Sequence, residues 1–258
     1  MDDLSHLPPR TQTELFRALE SAVTIRHRGE LFLWAQGPLQ ALIPHGLMLG
    51  FMLNDEQQVS HTDCLQAVVL EAGKLEALRH PKTGLVVRIA QRCRELGLMA
   101  CQLPACAAEH APLDIGADLQ QEWRELDLGH GMFQGSGPLA GGDGSFFALL
   151  GLTQPPQSTQ ALLLQVLLPQ LHVALSRSQR YGTLEATPDV VSASDTQLSE
   201  RQLEILHWVK LGKTNHEIAL ILDISELTVK NHMQKLFKKL NVHNRAQAVA
   251  KVMSTSRD

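Results

Sequence analysis

The chain has 258 residues, 44% of them apolar and 19% charged, with a formal charge of −4; this suits a soluble globular protein with one large domain or two smaller ones. The start, MDDLSHLPPR, lacks a basic segment followed by an apolar one. The longest apolar stretch, 161–168, is interrupted by Gln165 and falls well short of the ~18 residues that span a bilayer. Neither secretion nor membrane insertion is therefore expected, and the expected location is the cytoplasm.

Residues 1–180 read as a mixed body. Positions 11–26 suit a helix, with Leu15, Leu19 and Val23 spaced by four. Positions 30–43 read as a second helical region that Gly37-Pro38 can break in two. A turn at Pro44 and Gly46 leads to a strand over 47–53, a turn at Asn54-Asp55 and an extended or mixed stretch over 59–70. Positions 83–98 form an amphipathic helix with Val86, Val87, Ala90 and Leu96 on one side. Strands over 129–133 and 146–152 flank the glycine-rich loop GSGPLAGGDGS, and a long helix follows over 158–179, with Pro169 as a kink point. Helices around a sheet-forming middle predict an α+β sensor fold such as a GAF-like domain. The long helix has more apolar surface than one core face needs, which predicts dimerisation through it.

Residues 181–197, YGTLEATPDVVSASDTQ, have linker composition. Beyond them the charge changes sign. From Thr196 onward there are seven Lys and three Arg against six acids, a net +4, while residues 1–195 carry −8. Only the tail, 198–258, is suited to approach a polyanion.

Four helices can be placed in that tail from their start signals. Ser199 with Gln202, Thr214 with Glu217 and, more loosely, Asn244 with Gln247 are capping boxes. Ser225 caps the helix before the last. Only Asp223-Ile224-Ser225 separates the second and third helices, which forces a steep crossing, the geometry of a helix-turn-helix. In this arrangement Ile218, Ala219, Leu222 and Ile224 face Val229 and Met233.

On the third helix, Val229, Met233, Leu236 and Leu240 fall on one stripe, the core face. The opposite side carries Leu227, Lys230, Asn231, Gln234 and Lys238, flanked by Thr228, Lys235 and Lys239, with no acid after Glu226. A helix fits the major groove of B-DNA, where Asn and Gln pair with adenine and Lys with guanine. Lys213, Thr214 and Asn215 open the second helix, whose free amides and dipole suit phosphate. Lysines alone would equally describe a solvated face of an ordinary bundle. The caps, the short turn and the separate positive charge favour DNA.

The stretch GKTNHEIALILDISELTVKNHMQKLFKKLNVHNRAQAVA resembles the LuxR/FixJ-type helix-turn-helix of bacterial regulators. The resemblance covers about sixty residues, from Leu198, Arg201 and Glu204 to Asn244 and Arg245; Gln202 departs from the usual Glu. It implies that the third helix reads bases, adds Arg245 to the DNA-binding set, and places a dimer contact at Ala246, Val249, Ala250 and Met253. The expected partners are double-stranded DNA and a second copy of the chain, in a sequence-specific transcription regulator.

The input is less legible. A receiver domain would need a strand leading to paired acids, and Asp2-Asp3 follow none. An acyl-homoserine-lactone domain would show Trp, Tyr and Asp in close succession, but the only tyrosine is Tyr181. LFLWAQGPLQALIPHGLMLGFML is similar to regulators associated with exosortase and exopolysaccharide gene clusters, which implies control of surface polysaccharide genes. A small-molecule effector or a protein partner for the body stays open. Four cysteines, Cys64, Cys93, Cys101 and Cys106, are too sparse for a disulfide framework and are expected to be reduced. Cys93, Cys101, Cys106 and His110 match no usual zinc spacing. GKT at Gly212 lacks the upstream glycine of a phosphate-binding loop, since His207 stands there. No nucleophile, base and orienting acid can be placed together, so neither catalysis, a cofactor nor a metal is expected. The alternative is a ligand-binding or enzymatic body whose tail serves assembly.

Overall fold

A computed structural model describes residues 4–68, 70–104, 115–136, 144–184, 198–222 and 224–255. The body is built on a five-stranded antiparallel sheet in the order β2-β1-β5-β4-β3. Its strands are β1 (Leu47–Leu53), β2 (Val59–Gln66), β3 (Ala100–Leu103), β4 (His130–Ser136) and β5 (Gly144–Leu152). Helices cover both faces, so the central strands are buried on both sides. This is why β1 and β5 read as near-continuous apolar runs rather than alternating ones.

The period of two still sorts the side chains. Met48, Met52, Phe147, Leu149 and Met132 enter one core, shared with α1 (Pro9–Val23), α2 (Arg28–Trp34) and α7 (Ser158–Leu184). Leu49, Phe51, Phe133, Phe146 and Ala148 enter another, beneath α4 (Ala72–Arg79), α5 (Leu85–Glu95) and α6 (Ala117–Glu125). A side chain at Gly50 would meet Phe147 at 3.1 Å and Leu175 at 3.2 Å, so glycine lets α7 cross the sheet closely there.

Several expectations shift. Leu15 is buried but Val23 is 56% exposed, and Ala18 and Ala22 complete the α1 stripe with Leu19. Strict spacing by four drifts about 40° per step, which carries the third residue off the face. Leu96 likewise ends up exposed, because α5 stops at Glu95. Pro38 does not break the second helical region. The chain runs from α2 through a π segment (Ala35–Leu39) into α3 (Gln40–Leu42), and the wide turn accommodates a residue with no N–H. α4, β3 and α6 are additional elements.

Part of the apolar surface on α7 is used within the chain. The helix packs on β1 and β4 on one side and on α1 and α2 on the other, burying Leu163, Leu164, Leu167, Leu171 and Leu175. Val173 remains 39% exposed on its outer side. By length and composition alone, 158–179 is long and apolar enough to cross a membrane, unlike the eight-residue stretch 161–168; here it lies across the sheet. α7 ends at Leu184, four residues past the expected boundary at 180, and most of the linker lies outside the described residues. The tip of the glycine-rich loop, Cys106 and His110 also lie outside them. Cys64, Cys93 and Cys101 are free thiols.

His45, in the turn before β1, is buried with Nδ1 2.7 Å from the Ile43 carbonyl, and its Nε2 has no hydrogen-bond partner among the described residues. Burial lowers its pKa from 6.5 to about 4, the Ile43 bond opposing only in part. The unfolded chain then takes up a proton that the native state refuses. Stability should fall by ~3 kcal/mol as pH drops from about 6.5 to about 4. Urea unfolding across that range checks this, and His45→Gln is expected to flatten the dependence.

Candidate nucleic-acid interface

The described tail has four helices: α8 (Glu200–Lys210), α9 (Asn215–Leu222), α10 (Glu226–Leu240) and α11 (Arg245–Thr255). Each starts as its sequence dictates. At α8, Ser199 Oγ accepts from the Gln202 amide and Gln202 Oε1 from the Ser199 amide, at 3.4 and 2.9 Å. At α9, Thr214 and Glu217 make the same reciprocal pair. Ser225 Oγ accepts from the Thr228 amide at 3.0 Å. At α11, Asn244 accepts from the Gln247 amide, but Gln247 reaches back to the His243 amide instead of that of Asn244.

The ends are equally local in origin. α8 stops at Gly212, whose φ of +81° suits glycine, while the Lys213 amide reaches back to the Trp208 carbonyl at 3.0 Å. α10 stops at Asn241, with φ of 49°, and the Val242 amide bonds the Phe237 carbonyl. Between α9 and α10 the Ile224 amide bonds the Ala219 carbonyl at 3.0 Å, closing the turn.

This frame seals one side of α10. Val229, Met233 and Leu236 are buried, while Ile218, Ala219 and Leu222 join Val229 and Met233 in one core with Ile224 against it. The other side is open: Lys230, Asn231, Gln234, Lys235 and Lys238 are exposed, and Leu227 is 66% exposed. Among the described residues, no carboxylate is within ion-pair distance of Lys230, Lys235 or Lys238. The row thus presents donors and positive charge along a rigid rod.

At the head of α9, Thr214 is exposed and Lys213 and Asn215 are half-buried. Lys213 Nζ lies 3.3 Å from Glu217 Oε1, so its charge is shared within the helix. Hydrogen bonds from the Thr214 amide and hydroxyl, then from Lys213, hold the Glu217 carboxyl below its usual range. The Thr228 hydroxyl is 2.7 Å from that of Ser225. On α11, Ala246 and Ala250 are exposed and Val249 is half-buried against the core; the Met253 side chain lies outside the described residues.

Arg245 occupies a different place from the rest of the expected DNA-binding set. Its Nη2 donates to the Val209 carbonyl at 3.1 Å and to the Lys213 carbonyl at 2.5 Å, tying α11 to the α8–α9 turn. The composition of the tail suggests only a cation there. Two carbonyls left over by a helix end 32 and 36 residues away are what engage it.

Residues 196–252 match the family model described as bacterial regulatory proteins, luxR family. The C-terminal domain is a luxR-family helix-turn-helix. The chain is 36% identical over 81 residues to the regulatory protein SdiA of Escherichia coli, covering 31% of this chain and 34% of SdiA. It is 31% identical over 147 residues to the transcriptional activator protein SolR of Ralstonia solanacearum, 56% of this chain and 61% of SolR. Both shares fall below two thirds of the relative's length. A crystal structure of E. coli SdiA aligns over 96% of this chain and 97% of that one, at 20% identity and a TM-score of 0.44.

In the luxR-type domain Arg245 therefore has a structural job beside any contact with DNA. Arg245→Ala leaves two carbonyls short of a donor and should destabilise the domain by ~1–3 kcal/mol. Thermal unfolding of the full chain without DNA is the check. Lys238→Ala, on the open face, should change that stability by less than ~0.5 kcal/mol.

Proposed function

We propose that this protein is a sequence-specific, DNA-binding transcription regulator that works as a homodimer, with α10 as its recognition helix. The observation that carries this is the open row Lys230, Asn231, Gln234, Lys235 and Lys238 on a helix whose opposite side is sealed in the core. Bases would be read by Lys230, Asn231 and Gln234, with Leu227 and Thr228 at the helix start offering apolar and hydroxyl contacts. Lys213, Thr214, Asn215, Lys235 and Lys238 would hold phosphate, and Arg245 would serve mainly to brace the α8–α9 turn. The luxR family match supports the reading, and SdiA and SolR carry the names of a regulatory protein and a transcriptional activator.

The body, 1–180 in this reading, is the regulatory part, joined by the linker 181–197 to the DNA-binding domain 198–258. An antiparallel sheet covered by helices on both faces suits a sensor, GAF-like in style. A cleft of about 420 Å³ between α5 and the sheet, walled by Phe51, Val87 and Phe146 and by the polar Gln58, Gln91 and Arg94, suits a small effector with both apolar and polar parts. The N-terminal resemblance points to exopolysaccharide genes as targets, which genome-wide mapping of bound DNA would test. We place the working site in the cytoplasm, where the DNA is.

Lys230→Ala or Gln234→Ala should weaken binding to the cognate duplex by ~1–3 kcal/mol and relax specificity. Lys213→Ala should weaken binding to cognate and scrambled duplexes alike. Mobility shifts at several salt concentrations read both effects. Equal losses for all three variants would refute the division of labour, and a parent chain with salt-insensitive or absent binding would favour a body whose tail serves assembly.

For the dimer, Ala246 and Ala250 leave the outer face of α11 open to a second copy. Ala250→Asp should turn a dimeric sedimentation profile monomeric. It should also weaken binding to a two-half-site duplex far more than to a single half-site.

A further inference from the structure

The body and the helix-turn-helix meet through a chain of charges that neither part needs for its own neutrality. Arg28, at the start of α2, lies at the centre. Its Nε donates to Asp63 Oδ1 of β2 at 3.1 Å, and its Nη2 to the Cys64 carbonyl at 3.0 Å. Its Nη1 donates to Glu204 Oε1 of α8 at 2.5 Å. Glu204, only 1% exposed, also takes Arg201 Nη1 on its other oxygen, and Arg201 Nη2 is held by the Leu222 carbonyl. Asp63, 5% exposed, further accepts from the Ser178 hydroxyl of α7 and lies 3.4 Å from His61 Nε2.

The signs therefore run Asp63, Arg28, Glu204, Arg201, and the domain boundary falls in the middle. On the body side Asp63 and Arg28 are a complete pair, and on the other side Glu204 and Arg201 are another. Pulling apart an ordinary buried pair strands an unpaired charge. Here separation leaves each ion with a partner and returns water to the outer faces. Beside the ions, Phe32 packs edge-on against Trp208 and His207, with ring centroids 5.6 Å away in both cases. That contact gives the junction its apolar grip.

We infer that α2 and α8 form a reversible clasp between body and helix-turn-helix, in which Arg28 positions the DNA-binding domain and can let it go without orphaning a charge. The clasped state leaves the open row of α10 and the outer residues of α11 exposed, so it orients the domain rather than masking it. It also joins three body elements to α8, because β2 and α7 both grip Asp63, which grips Arg28. A cleft of about 630 Å³ opens beside it, walled by Arg28, His61 and Asp63 from the body and by Arg201 and Leu222 from the other side. Movement of β2 thus has a direct mechanical route to α8. The inference concerns the junction and stands apart from the DNA-binding reading.

The test uses the full chain with spin labels placed through unnatural amino acids at the exposed positions 10 and 243. The parent should show one narrow distance distribution. Arg28→Gln and Phe32→Ala should each broaden it, with helix content by circular dichroism unchanged. If Arg28→Gln fails to fold, Phe32→Ala carries the comparison. Pro81→Ala, which changes the cleft wall at a residue outside the bridge, should keep the parent distribution. Affinity for a single half-site should stay within about twofold in Arg28→Gln, as expected of distant sites. A broad parent distribution, bridge variants as narrow as the parent, or broadening by Pro81→Ala equal to theirs would each overturn the clasp. Loss of duplex binding by the parent would strike the DNA-binding reading and leave the distance result standing.

Discussion

The burial of Val229, Met233 and Leu236 against α8 and α9 is the constraint from which the candidate interface follows. A helix with three apolar residues locked inside cannot rotate about its axis. Its opposite side is thereby fixed as the surface that meets solvent or a ligand, and the placement of Lys230, Asn231, Gln234 and Lys238 follows from that. The caps do the remaining work. Ser199, Thr214 and Ser225 set where helices begin, while Gly212 and Asn241 set where two of them end. A helix ordered before contact avoids an ordering cost that binding would otherwise bear.

The body obeys a different economy. Its sheet is covered on both faces, so its central strands carry apolar side chains both up and down and lose the alternation that marks a half-exposed sheet. α7 does double service, filling one face of the sheet and supporting α1 and α2. The core on that face continues past α2 to Trp208 and the interior of the helix-turn-helix. Body and DNA-binding domain thus share packing as well as the Arg28 bridge. A change in the sheet has two ways of reaching α8, one apolar through Phe32 and one electrostatic through Asp63 and Arg28.

The helix-turn-helix was legible because its determinants are close in sequence. Capping pairs lie three residues apart, the turn between α9 and α10 is a few residues long, and the stripe on α10 repeats within two or three turns. The body was legible only in part. β1, β5 and α7 announce themselves by apolar runs bounded by turn residues. β3, with four residues, and α4, with little amphipathic pattern, offer no comparable local signal, and tertiary packing holds them in place. Pro38 misled for the same reason: whether a proline breaks a helix or widens one turn depends on what packs around it, here the buried Ala35 and Leu39.

By itself, the sequence determined where the tail helices begin, which face of α10 is apolar and which is basic, and the opposite charges of body and tail, because nearest neighbours and a fixed helical period set all three. Tertiary structure alone decided that Arg245 braces carbonyls 32 and 36 residues away, which apolar residues of α7 are packed inside the chain, and that Arg28 meets Asp63 and Glu204 across separations of 35 and 176 residues. Side chains so far apart carry no mutual imprint on local pattern. Their pairing exists only once the sheet, α2 and α8 have been brought to the same place.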